Sequence, residues 1–246
     1  MAAGRDELDR INVFPVPDGD TGTMMCLTLR AVARALRDLR TDALPFVAET
    51  MAQASVRGAR GNSGMMLSQF LLGFREGIGE RLRAGATELA HAIGVGFERL
   101  RGSLDEPIEG TILTVAREAA DEAGRARGER DLRVFIRRIV DRSEAALQRT
   151  PELLAALKHA GVVDAGAKGF VRLLDGVKRL MEEGHIAEGA VERLVSGGES
   201  SAAAAAEVEV DRDYRYCTEL MVRSASLPDP ADVRRALRAH GGSIVV

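Results

Sequence analysis

Apolar residues recur at three- and four-residue steps from Thr21 to about Leu194, the period of helices with one buried face. Leu29, Val32, Leu36 and Leu39 make one such stripe. Met66, Phe70 and Phe74 make a second, and Leu89, Ile93, Phe97 and Leu100 a third. Ile112, Val115, Ala119 and Ala123 form a fourth, and Leu132, Phe135 and Ile139 begin a fifth, flanked by Ile136 and Val140. Thr150-Pro151-Glu152 reads as a helix start with a threonine cap and proline in the first turn, and Gly161 as its stop. Phe170, Leu173, Leu174, Val177 and Met181 carry a further helix to about Gly184, and residues 185–194 allow one more short one. The pattern predicts an all-α fold without strands in this region. Glycines at 58, 61 and 64, at 102 and 110, and at 161, 166 and 169 punctuate it, so helices that alternate up and down bring their loops together at one end.

The pattern changes after residue 195. Residues 196–210 are low in complexity, with Gly197-Gly198 and five consecutive alanines, and read as a linker. Tyr214 to Val222 alternates like a strand, Asp229 to His240 reads as a short helix, and Ser243 to Val246 begins another strand. Residues 211–246 therefore read as the incomplete opening of an α/β domain, too small to fold alone.

Composition narrows the classes. Hydrophobic residues make up 46% of the 246 and tryptophan is absent, so aliphatic side chains must fill the core. A net charge of -3 excludes the basic excess of a nucleic-acid binder. Cys26 and Cys217 make no disulfide framework, no apolar run spans a membrane and no secretory leader opens the chain, which together predict a cytoplasmic protein.

The chemistry concentrates in Asn12-Val-Phe-Pro-Val-Pro-Asp-Gly-Asp-Thr-Gly-Thr23. Pro15 and Pro17 predict a stiff, extended approach, along which Asp18 and Asp20 share one side. Two crowded carboxylates repel unless a cation sits between them, and hard oxygen ligands suit magnesium. A helix starting near Thr21 adds unpaired amides, with the Thr21 and Thr23 hydroxyls beside them. The bland alternative is a polar turn with Asp20 as helix cap. Gly58-Ala-Arg-Gly-Asn-Ser-Gly64 opens another helix and offers Gly61, Asn62, Ser63 and Gly64 to phosphate, although it is not a Walker A loop. Glu109-Gly110-Thr111 and Asp164-Ala165-Gly166 open two more helices. Each alone reads more readily as a cap or turn; Asp164 could instead accept from ribose hydroxyls in a space left by small neighbours.

Taken together, these four motifs, with Val163-Asp-Ala-Gly-Ala-Lys-Gly169 as the last, resemble in order the ATP-binding N-terminal domain of bacterial fatty acid kinases. That domain is similar to the nucleotide-binding, DhaL-like subunit of dihydroxyacetone kinases. The resemblance spans about residues 8–195 and continues in Tyr214 to Val222, which looks like the start of the fatty acid kinase middle domain. It implies an antiparallel eight-helix barrel over residues 1–195, the linker, and an incomplete middle domain over 211–246. It implies a kinase that uses ATP and two magnesium ions, with Asp18 and Asp20 as catalytic metal ligands and Asn12 as a third. Thr21, Gly22, Thr23 and the Gly61–Gly64 loop would hold phosphates, while Thr111 and the Asp164, Ala165, Gly166 turn line the nucleotide. The fatty acid would arrive on a separate fatty-acid-binding protein and leave as acyl phosphate for phospholipid synthesis; a homodimer is compatible.

The chain departs from that pattern in places. Only eleven residues precede Asn12, where the family has a further helix; Met24 stands where the family commonly has asparagine, and Ala167 where it has glycine. Cys217 reads as a buried strand cysteine, its alternative being a middle-domain metal ligand. The other readings are a dihydroxyacetone kinase nucleotide subunit and a non-catalytic nucleotide-binding scaffold.

Overall fold

The computed structural model describes residues 4–184, 218, 220, 222, 226–241 and 244–246. Its elements are α-helices in the order α1 (Arg5–Arg10), α2 (Thr21–Arg37), α3 (Leu44–Gly58), α4 (Gly61–Ile78), α5 (Ala86–Ser103) and α6 (Ile112–Arg125). There follow α7 (Leu132–Gln148), α8 (Thr150–Leu153), α9 (Ala155–Ala160), α10 (Ala165–Glu183) and α11 (Pro230–Leu237). The anticipated all-α character therefore holds for the described part of residues 1–195. The short helix anticipated within 185–194, the linker, and most of the Tyr214–Val222 strand, Cys217 included, lie outside the described residues.

The stripes become the core. Met25, Leu67, Phe70, Leu100, Val115, Ala119, Phe135, Ile139, Leu147 and Phe170 are all buried in one cluster. Phe70 of α4 and Phe170 of α10 meet edge to face across it, with ring centroids 5.0 Å apart. Each helix packs on the next from α1 to α7, and α10 then returns against α7, α6, α2 and α1. Glycine sets some of the close approaches. A Cβ on Gly169 of α10 would overlap Met25 of α2, and one on Gly58 would overlap Ala31. Gly161 and Gly184 end α9 and α10 in the left-handed region, φ +67° and +73°, where glycine carries no steric penalty.

Two helices were not visible as stripes. α3 fully buries only the small residues Ala48, Ala52, Ala54 and Ser55, while its larger Leu44 and Met51 pack against the core half-buried. α1, Arg5–Arg10, lies within the eleven residues before Asn12 and buries Leu8. Its Glu7 pairs with both Lys168 and Arg172 of α10, which fastens the start of the fold to its last long helix. Between α6 and α7, Glu118 is buried and receives Arg142 Nε at 2.7 Å and Arg149 Nη2 at 3.0 Å. Burial pushes the Glu118 carboxyl up, but these two guanidinium groups outweigh it and hold it below the usual range.

Beyond residue 195, α11 forms as anticipated, opened by Asp229, whose carboxylate accepts from Ala231 N–H. Val245 makes a single antiparallel bridge to Leu104, at the end of α5.

Candidate functional site

The four motifs come together. α2, α4, α6 and α10 begin at the same end of the fold. A Cβ on Gly61, at the start of α4, would stand 2.9 Å from Met24 Cγ in the first turn of α2. A Cβ on Gly166, in the first turn of α10, would lie 3.8 Å from Ile112 Cβ of α6 and 4.0 Å from Ser63 Oγ of α4. Thr28 of α2 fixes one of these junctions: its hydroxyl donates to Met24 O at 2.9 Å and accepts from Arg60 N–H at 3.2 Å. A Cβ on Gly64 would overlap that same oxygen.

The approach to α2 is bent, not extended. The chain bends at Phe14 and Pro15 and again at Gly19, φ +65°. Asp18 and Asp20 therefore flank a glycine bend instead of sharing one side of a strand. Asp18 is exposed and Asp20 partly buried. Asp20 is the residue before the first helical turn, but its side chain does not cap that turn.

The caps come from elsewhere. Asn12 is buried; its Oδ1 accepts from both the amide, at 3.2 Å, and the hydroxyl of Thr21, and its Nδ2 donates to Val16 O at 2.7 Å. Both lone pairs of Oδ1 are thereby engaged, so a cation could claim that oxygen only by displacing a Thr21 donor. Asp9 accepts from the Thr23 amide at 3.0 Å and from its hydroxyl at 2.8 Å. The donors that the sequence reading assigned to phosphate at Thr21 and Thr23 are thus spent inside the protein. Asp9 carried no local signal: it lies fourteen residues before the helix turn it caps.

The other helix starts differ from one another. Thr111 caps α6, donating to Ile108 O at 2.7 Å and accepting from Leu113 N–H at 3.3 Å. Asp164 caps α10, accepting from Ala167 N–H at 2.7 Å, and it also takes the Ile112 amide at the start of α6. Asp164 and Ala165 are buried, whereas Gly166 is partly exposed. Burial raises the Asp164 carboxyl from 3.8 to about 6, against the lowering effect of the two amides. Its carboxylate thus faces backbone inside the fold, not the open space the sequence reading gave it for a ribose. α4 is preceded by Arg60, whose own side chain supplies no cap to the first turn.

The donor set fits magnesium of the substrate-bridging kind. Such an ion takes one or two carboxylates, keeps several waters and fills its octahedron with phosphate oxygens. Asp18 and Asp20 supply that number, just before the start of α2. Among the described residues no cluster of three or more His, Cys, Asp or Glu forms a self-sufficient metal cage. No helix among them is long and apolar enough to cross a membrane.

The profile of the DAK2 domain matches residues 15–179, and so takes in α2 to α9, most of α10 and, but for Asn12 to Phe14, the four converging motifs. The chain belongs to the DAK2 domain family. DAK2 domains are kinase-related, of the dihydroxyacetone kinase type, and bind adenine nucleotide. Among curated relatives, Protein YloV of Bacillus subtilis (strain 168) is 36% identical over 254 aligned positions, which cover 100% of this chain and 46% of that protein. Uncharacterized protein SAB1090 of Staphylococcus aureus (strain bovine RF122 / ET3-1) is 34% identical with the same coverage, as is SAR1202 of strain MRSA252. The chain thus spans about half the length of these relatives, and the DAK2 match is its N-terminal part.

Proposed function

We propose that the domain binds Mg-ATP where α2, α4, α6 and α10 begin, and that it serves a fatty acid kinase. The observation that carries this reading is the convergence of four helix starts. The first turn of α4, from Gly61 to Ser63, suits the nucleotide phosphates, since a helix start favours an anion and glycine lets it approach closely. Asp18 and Asp20 would hold the magnesium, which neutralises phosphate charge when bound. Gly166 and the Thr111 turn form the neighbouring wall, on which the nucleoside would rest. Asn12, Thr21, Thr23 and Asp9 shape the approach loop and keep Asp18 and Asp20 in place.

The acceptor in this proposal is a fatty acid carboxylate, brought by a separate fatty-acid-binding protein in the cytoplasm. A carboxylate oxygen attacks the γ-phosphorus, the bond to the β–γ bridging oxygen breaks, and ADP leaves with acyl phosphate as the other product. An ionised carboxylate needs no general base, so the protein's task is positioning and charge stabilisation. Packing of α1 to α7 in succession, closed by α10 on α1 and α2, supports the eight-helix barrel that goes with this reading. The relatives' alignments run over the whole chain, past the DAK2 match, which supports a following middle domain and favours fatty acid kinase. The DAK2 match itself favours the second reading, a dihydroxyacetone kinase nucleotide subunit.

Calorimetric titration with ATP, with and without magnesium, tests the site. The chain should bind ATP much more tightly with magnesium, and Asp18→Ala and Asp20→Ala should lose that gain while keeping the wild-type helical circular dichroism. Equal affinity with and without the metal would refute the metal role. Transfer to fatty acid or to dihydroxyacetone, assayed in the longer protein with its partner, separates the two readings.

A further inference from the structure

The corner between α5 and α6 carries more than its own cap. Asp105 N–H donates to Ile244 O at 3.2 Å, Val246 N–H donates to Ser103 O at 3.2 Å, and Leu104 pairs with Val245 between them. Arg238, just after α11, grips the Asp105 carboxylate with the Nε–Nη2 edge of its guanidinium. Its Nε lies 2.9 and 3.0 Å from the two oxygens, and Nη2 lies 2.6 Å from Oδ1. Glu106 adds a second negative charge facing that guanidinium. Segments more than 130 positions apart in the chain therefore meet on Ser103, Leu104 and Asp105, where α5 ends and the loop begins.

The far end of the same loop is built into the helix-start cluster. Ile108 O accepts the Thr111 hydroxyl, and Gly110 N–H donates to Thr114 Oγ1 at 2.8 Å. Glu109 accepts from the Thr114 hydroxyl and pairs with Arg117 at 3.3 Å. Gly110, φ +84°, has no room for a side chain: a Cβ there would stand 2.8 Å from Leu154 Cβ. One short stretch, Asp105 to Thr111, thus joins the post-linker segment to the start of α6, where Ile112 meets Asp164 and Gly166.

We propose that the α5–α6 corner is the docking surface for the segment carrying α11, and that docking is coupled to occupancy of the nucleotide end. The coupling half rests on the nucleotide reading above; the docking half does not. One bridge and one ion pair, with Arg238 61% and Asp105 15% exposed, make a reversible contact, not a permanent one. A seated nucleotide that fixes the start of α6 also fixes Glu106 to Gly110, and so presents Asp105 to Arg238. Linkage makes the effect reciprocal: docking strengthens nucleotide binding by the factor that nucleotide strengthens docking.

The test uses the whole 246-residue chain. Amide hydrogen exchange over residues 105–111 and calorimetric titration with Mg-ATP are measured for wild type, for Arg238→Ala, and for Asp105→Arg combined with Arg238→Asp. Arg238→Ala should speed exchange in that stretch and weaken Mg-ATP about three- to fivefold, the scale of one exposed bidentate pair. The swapped pair should restore both. Unchanged exchange in Arg238→Ala overturns the docking, and restored exchange without restored affinity overturns the coupling. Should wild type bind no nucleotide, the kinase reading and the coupling both fall, while the exchange measurement still decides the docking.

Discussion

Replacing Asp164 with asparagine isolates a buried charge whose environment pulls in two directions. Ala167 and Ile112 amides favour the carboxylate, and burial disfavours it more, leaving the group at about 6 against 3.8 in an open chain. The folded state therefore binds this proton more tightly than the unfolded state does. The stability that follows is fully present below pH 3.8, declines as pH rises between the two values, and is gone above about 6. At 1.36 kcal/mol for each pH unit between those values, the loss is about 3 kcal/mol. The Asp164→Asn variant would keep the acceptor for Ala167 N–H, since asparagine caps helices as well as aspartate, but its amide does not titrate. The other carboxylates, such as Glu118, which works in the opposite sense, are common to both proteins and cancel in the difference. Urea unfolding followed by far-ultraviolet circular dichroism suits a chain without tryptophan, and it is repeated across the acid range. Wild type should lose about 2 kcal/mol relative to Asp164→Asn between pH 4 and 7, the rest of the loss falling below pH 4. A flat difference, or one in which wild type gains with pH, would show that the two amide bonds outweigh burial and refute the argument.

Two further changes probe how the helix starts are held. Asp9→Ala removes the acceptor for both Thr23 donors and should cost about 1 kcal/mol, the usual worth of a helix cap, read as a lower urea midpoint at unchanged slope. Gly64→Ala drives a methyl into Thr28 Oγ1 and should cost about 1–3 kcal/mol, with Thr28→Ala in the same chain restoring part of it.

Large apolar side chains made the fold legible, and their absence hid parts of it. The stripes through Phe70, Leu100, Val115, Phe135 and Phe170 were readable because each such residue is buried where the helical period puts it. α3 escaped because its fully buried residues are alanine and serine, while Leu44 and Met51 are only half-buried and make no continuous stripe. α1 escaped because a helix of six residues shows no period; its position depends on Leu8 and on Glu7 reaching α10. The same division applies to the site. Glycine and hydroxyl residues before periodic runs correctly marked four helix starts, since capping is local. Which donors those starts leave for a ligand was not local. Asp9 reaches Thr23 from another helix, Asn12 closes the loop onto Thr21, and Asp164 turns inward to serve two helices at once. The bend at Phe14 and Pro15 also escaped, because the prolines argued for a straight approach.

The clasp of Glu7 on Lys168 and Arg172 has a consequence for how the molecule is made. Its partners are separated by 161 and 165 positions, so it is among the last contacts a growing chain can complete. Until the ribosome has released α10, Leu8 and the adjoining side of α2 stay exposed, a window in which a chaperone has something to hold.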